Sequence, residues 1–133
     1  MRGRTESHYW GVVLEAPDAK ALAEFYSRLL GWRIAKDEPG WVALAPPSGV
    51  AYLAVQGSPQ YVPPVWPPVD GSRQMMLHLD LEVGDLDAAI ADAVELGATL
   101  AAFQPQEAVR VMLDPVGHPF CLYLDPQAEE PTG

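Results

Sequence analysis

The chain has 133 residues, is 49% hydrophobic, and sets 18 acidic side chains against 8 basic ones, for a formal charge of −10. That length suits a compact domain with a real core, the charge argues against nucleic acid, whose phosphates need a basic surface, and no apolar run approaches membrane-spanning length. The opening Met1-Arg-Gly-Arg-Thr-Glu-Ser7 lacks the apolar centre of a signal peptide, and a single cysteine, Cys121, permits no internal disulfide, so a cytoplasmic protein is expected.

Trp10–Ala16 reads as a first strand, ended by Pro17. Asp18 is placed to cap a helix running to Leu30, in which Leu22, Phe25, Tyr26, Leu29 and Leu30 form an apolar stripe at helical spacing, and Gly31 supplies a left-handed stop. Trp32–Ala35 is a predicted strand. A turn at Asp37-Glu38-Pro39-Gly40 leads to a strand at Trp41–Ala45, and Pro46-Pro47-Ser48-Gly49 leads to another at Val50–Val55. Gly57–Gly71 holds Pro59, Pro63, Pro64, Pro67 and Pro68, so it is neither regular helix nor interior strand. Its interleaved Tyr61, Val62, Val65 and Trp66 read as a connector packed down by its own aromatics.

From Met76 to Val83 polar and apolar side chains alternate, within a strand predicted over Met75–Val83. Leu79, Leu81 and Val83 share one face; His78, Asp80 and Glu82 share the other, setting an imidazole and two carboxylates in a row. Asp85 then caps a helix to Leu96, with Leu86, Ala89, Ile90 and Ala93 inward and Gly97 as its stop. Strands are predicted at Ala98–Phe103, at Ala108–Leu113 and, after a turn at Asp114–Pro119, at Phe120–Leu124. The remaining tail, 126–133, is polar and expected to fray.

The second half repeats the first. Asp18 matches Asp85, Leu30-Gly31 matches Leu96-Gly97 and Gly49 matches Gly117, at separations of 67, 66 and 68 residues. The predicted fold is therefore α+β, with two tandem βαβββ modules (about 9–56 and 75–125, joined by a proline-rich connector at 57–72) forming cupped mixed sheets with helices on the outer face. Aligning the caps sets Gly11 against His78, Val13 against Asp80 and Glu15 against Glu82, so each first strand carries a glutamate on its inner face.

This organisation resembles the vicinal oxygen chelate superfamily. The resemblance rests on Phe25-Tyr26 and Leu30-Gly31-Trp32 in the first half, and on His78-Leu-Asp-Leu-Glu-Val-Gly-Asp-Leu86 and Asp114-Pro-Val-Gly-His-Pro-Phe-Cys-Leu122 in the second. The superfamily includes glyoxalases, extradiol dioxygenases, and fosfomycin- and bleomycin-resistance proteins. The Tyr61-Val-Pro-Pro-Val-Trp-Pro linker is similar to that of small actinobacterial glyoxalase-like domains. The likeness spans about residues 9 to 124 and speaks to fold far more than to reaction.

Metal-dependent members draw ligands from the first and last strands of each unit. His78 stands at one such position, but the resemblance puts Gly11, Cys121 and about Leu53 at the other three. The expectation is that no cofactor is needed. A divalent metal held by His78 with Asp80 or Glu82, and with Cys121 as a soft donor, is the alternative. His8 falls out of phase with the inner face, and His118 sits in a turn; solvated or capping roles are expected for both.

Ligand-lining residues are read as Glu15, Trp41, His78, Asp80, Glu82, Cys121 and Tyr123, with Glu82 a candidate general base. Phase places Tyr123 inward beside Cys121 and Tyr52 on the helix-facing side, while Trp41 sits in a strand without clean alternation. Gly-rich phosphate loops, Cys-x-x-Cys pairs and nucleophile elbows are absent. The reading is a metal-independent small-molecule binding protein of the glyoxalase/bleomycin-resistance type, taking a polar or cationic ligand and forming a homodimer. The alternatives are a divalent-metal lyase, isomerase or dioxygenase centred on His78, and a structural partner with a vestigial cup.

Overall fold

Both halves of the chain build a four-stranded mixed sheet with one helix packed on it. The structure, a computed structural model, describes residues 1–124 and divides into two units, Met1–Tyr61 and a second beginning at Val62. The tail expected to fray, 126–133, lies outside the described residues.

The first unit runs β1 (Trp10–Ala16), α1 (Ala19–Leu30), β2 (Arg33–Glu38), β3 (Trp41–Ala45) and β4 (Ala51–Gly57), with sheet order β1-β4-β3-β2. The second runs β5 (Leu79–Glu82), α2 (Leu86–Leu96), β6 (Thr99–Leu100), β7 (Val109–Leu113) and β8 (Pro119–Tyr123), ordered β5-β8-β7-β6. In both, the first strand pairs in parallel with the last and the other pairs are antiparallel. The two halves thus share one topology, as the repeat required.

Matching local chemistry produces it. Asp18 and Asp85 each accept a hydrogen bond from a first-turn N–H (Ala21 at 3.2 Å, Ala88 at 3.0 Å), satisfying donors that a helix start leaves without partners. Gly31 (φ 71°) and Gly97 (φ 118°) end the helices in the left-handed region, where a Cβ would be strained. Gly49 and Gly117 sit at nearly equal φ, 94° and 95°, in corresponding turns.

In the first unit the helix stripe is real: Leu22, Phe25 and Tyr26 are buried, against Leu14, Val42, Leu44, Leu53 and Val55 of the sheet. In the second, Leu86, Ala89 and Ile90 point the expected way but are only half-buried, and Ala93 alone is fully covered. The connector is packed by its aromatics as expected, since Trp66 donates its indole N–H to the Phe103 carbonyl (3.2 Å) and the two rings lie 6.1 Å apart. No described helix is long and apolar enough to cross a membrane.

Three strands differ from the sequence reading by three residues or more at one end. The strand expected over Met75–Val83 shrinks to Leu79–Glu82, with Met76 93% exposed. The parallel ladder starts at Leu79 with Phe120; the pair before it would join His78 to Pro119, whose nitrogen has no hydrogen to donate. The strand expected over Ala98–Phe103 is only Thr99–Leu100. Beyond it the Gln104 side chain replaces the ladder, donating to the carbonyls of Ala101 and Val111 and accepting from the Val111 N–H. Conversely, β2 continues past Ala35 to Glu38, because a bulge between Ile34 and Lys36 lets pairing with β3 resume.

Candidate functional site

Each helix covers one face of its sheet, and the predicted site residues lie on the other. In the second unit, register pairs Asp80 with Cys121 and Glu82 with Tyr123, so these four share a face opposite buried Phe120 and Leu122. His78 precedes the strand by one residue yet joins them: its Nε2 lies 3.1 Å from Asp80 Oδ1. Its side chain is 38% exposed.

Asp80 is the hub. Its carboxylate partners His78 on one side and accepts from the Cys121 thiol on the other. Burial pushes the thiol's pKa up, and the facing Asp80 charge and hydrogen bond push it the same way. Cys121 is therefore held as a thiol, unsuited to act as a free nucleophile. One donor atom from each of His78, Asp80 and Cys121 lies within 4.8 Å of the others. A nitrogen, an oxygen and a sulfur so gathered fit a single borderline divalent ion as a partial ligand set, provided the thiol proton leaves on binding. Glu82 stays exposed on the same face, outside that triangle.

In the first unit, Glu15 is exposed and Trp41 half-buried, both on the face away from α1. Gly11, the register counterpart of His78, lies beneath the Tyr52 ring. A Cβ built there would meet the ring carbons of Tyr52 at 2.4–2.5 Å. This corrects the expectation that Tyr52 faces the helix: the run Leu53-Ala54-Val55 is apolar on both faces and hides the phase. Register also makes Ala54, paired with Val13, the counterpart of Cys121 instead of Leu53. Neither Gly11 nor Ala54 offers a ligand atom.

The same open face holds a cavity of about 520 Å³, lined among others by Arg33, Lys36, Trp41, Ala43, Ala45 and Tyr52. Of these, only Trp41 was anticipated as a site residue. Arg33 and Lys36 were missed because strict alternation from Arg33 would turn Lys36 to the helix side. The bulge at Ala35 absorbs the extra residue, so Arg33 sits opposite Ala45 and Lys36 opposite Ala43. The signal that could have found them is the low packing volume of Ala43 and Ala45 across the hairpin. Of the minor candidates, His8 accepts the Thr5 N–H at Nδ1 (3.0 Å) in a local turn, and the His118 backbone N–H is held by the Asp114 carboxylate (3.0 Å).

Comparison with known proteins returns one family and one fold. A profile described as a glyoxalase-like domain matches residues 11–123. A glyoxalase/bleomycin resistance protein/dioxygenase family enzyme from Burkholderia phytofirmans superposes with a TM-score of 0.63 at 19% identity, covering 86% of this chain and 95% of its own. A glyoxalase-related enzyme from Fulvimarina pelagi gives 0.63 at 18%, covering 87% and 86%. TnmS3, an antibiotic binding protein from Streptomyces sp. CB03234, gives 0.56 at 22%, covering 89% and 95%. At such identities the likeness is one of fold. No curated protein matches the chain.

Proposed function

The chain belongs to the glyoxalase-like domain family, and from that premise we propose that it is a small-molecule binding protein of the glyoxalase/bleomycin-resistance type, working without a resident metal. The observation that carries this reading is the cavity on the first sheet: about 520 Å³, open, and walled by Trp41 and Tyr52 with a few polar groups, the size and character of an organic-ligand site. Such an open cavity weighs against a vestigial cup. On the second sheet Asp80 and Glu82 would meet a polar or cationic group of a ligand. The likeness to an antibiotic binding protein makes antibiotic sequestration one form the activity would take. Metal independence is supported by position 11, where the Tyr52 ring occupies the space a ligand side chain would need. The proposal includes a cytoplasmic homodimer, which sedimentation velocity would check.

The second reading is a divalent-metal lyase, isomerase or dioxygenase. What favours it is the convergence of His78, Asp80 and Cys121 donor atoms within 4.8 Å. A bound ion there would act as a Lewis acid on a substrate oxygen. The deciding experiment is metal content by mass spectrometry on untagged protein prepared without chelator, repeated on His78→Ala. Substoichiometric metal in both supports the binding protein. About one ion per chain, lost in the variant, overturns it in favour of the metalloenzyme.

A further inference from the structure

Deepening the small-molecule reading, on which this step rests, we infer that the cavity of the first sheet takes a flat anion: an aromatic or conjugated carboxylate, its ring against Trp41 and Tyr52 and its charge at Arg33 and Lys36. The chain as a whole is strongly acidic, with 8 basic against 18 acidic side chains. This cavity reverses that sign locally, gathering two of the eight cations and none of the carboxylates into its lining.

The gathering is a product of the backbone. Arg33 and Lys36 are three residues apart, a spacing that puts side chains on opposite faces of a regular strand. The bulge between Ile34 and Lys36 returns them to one face, a way strands re-aim a side chain beside a site. Opposite them stand only Ala45 and Ala43, so nothing fills the space the cations border. Lys36 has a loose ion pair with Glu38 at 3.7 Å, both side chains largely exposed. The Arg33 guanidinium has no hydrogen-bond or ion-pair partner among the described residues. Its guanidinium fork is free for a carboxylate, which it fits in two parallel hydrogen bonds.

The aromatic wall is built with equal economy. Gly11 has no side chain, so the Tyr52 ring lies across β1 instead of standing away from the sheet. Trp41, at the start of β3, closes another side. Flat walls favour a flat ligand, and offset stacking on two rings adds affinity beyond area.

The test titrates the full chain with 2-naphthoate, with its neutral isostere 2-naphthamide and with the cation 2-naphthylmethylammonium, by calorimetry at two salt concentrations. The expected result is saturable naphthoate binding, weakened by salt, with the amide at least roughly fivefold weaker. Arg33→Gln is expected to remove that preference, Lys36→Gln to reduce it, and Trp41→Ala to weaken naphthoate and naphthamide alike. Arg33 is exposed, and thermal melts of the variants check that folding is intact. Equal binding of naphthoate and naphthamide, or indifference to Arg33→Gln, overturns the anion site while leaving the small-molecule reading standing. Preference for the cation, abolished by Asp80→Asn, also overturns it and assigns recognition to the acidic face. No saturable binding of any of the three sinks both.

Discussion

Replacing Gly11 with alanine puts the packing of the first sheet to a quantitative test. Gly11 has no left-handed φ, and its added Cβ would fall 2.4–2.5 Å from three ring carbons of Tyr52, so the cost is steric and not conformational. Overpacking of this kind costs about 1–3 kcal/mol, while Gly→Ala at a compatible backbone position returns about 0.4–1 kcal/mol through the unfolded chain. The net expectation is a loss of about 1 kcal/mol, or roughly 3–5 °C in Tm for a domain of this size. The assay is urea denaturation of wild type, Gly11→Ala, Tyr52→Ala and the double variant. With the ring gone, the added methyl should turn neutral or stabilising, giving a coupling of about 1–3 kcal/mol between the two sites. Equal effects of Gly11→Ala in both backgrounds, or none in either, would refute the stacked ring. The aromatic wall of the cavity would then fall with it.

Other expectations concern parts of the second unit. Asp114 is buried and its Oδ1 accepts the N–H groups of Val116 and His118, both at 3.0 Å. Asp114→Ala should cost about 2–4 kcal/mol in chemical denaturation, and Asp114→Asn, which keeps an oxygen, clearly less. Gln104→Ala strips three hydrogen bonds from the end of β6 and should cost about 2–3 kcal/mol, with amide exchange at Val111 accelerated. The raised pKa of Cys121 predicts slow alkylation by iodoacetamide in chelator-containing buffer, its rate rising only at more alkaline pH than for an ordinary thiol; Asp80→Asn should shift that profile back toward neutral pH. Because the folded state favours the protonated thiol, its contribution to stability is present below the pKa of the unfolded chain's thiol and lost as pH rises through the folded value. Cys121→Ala should remove that alkaline slope.

The fold was legible because its determinants are local and occur twice. Asp18 and Asp85 cap, Gly31 and Gly97 stop, and Gly49 and Gly117 turn, each with geometry readable from residue type alone. The shared face of His78, Asp80 and Glu82 was legible for a related reason: polar and apolar residues alternate cleanly through them, and the structure keeps that phase even where the ladder stops at Leu79. What the residues near Pro119 concealed was the strand's length, since the lost pairing belongs to a partner more than forty positions away.

The first unit's face was not legible, and the reason is specific. Its apolar strands leave phase undetermined: Leu53, Ala54 and Val55 are all buried, so periodicity cannot say which way Tyr52 turns. That direction follows from Gly11, a neighbour only through the parallel pairing of β1 with β4. Arg33 and Lys36 are concealed more deeply. Reading β2 as a regular strand ends it at Ala35 and sends Lys36 to the wrong side; a bulge is invisible to any fixed period, because it breaks the period. Yet the bulge is what unites the two cations opposite Ala43 and Ala45. Deleting Ala35 should therefore remove the bulge without parting the cations: Arg33, Ile34 and Lys36 would face Ala45, Leu44 and Ala43 one to one, with Arg33 and Lys36 two apart on the same face. If the anion preference rests on the pair sharing that face, Ala35 deletion should leave naphthoate binding close to wild type in a protein whose far-UV spectrum is unchanged. Inserting one alanine beside Ala35 leaves one more residue for the bulge to absorb, and a folded variant of either kind whose naphthoate binding fell to the level of Lys36→Gln would mean that the twist of the bulge itself, and not the shared face alone, aims the cations.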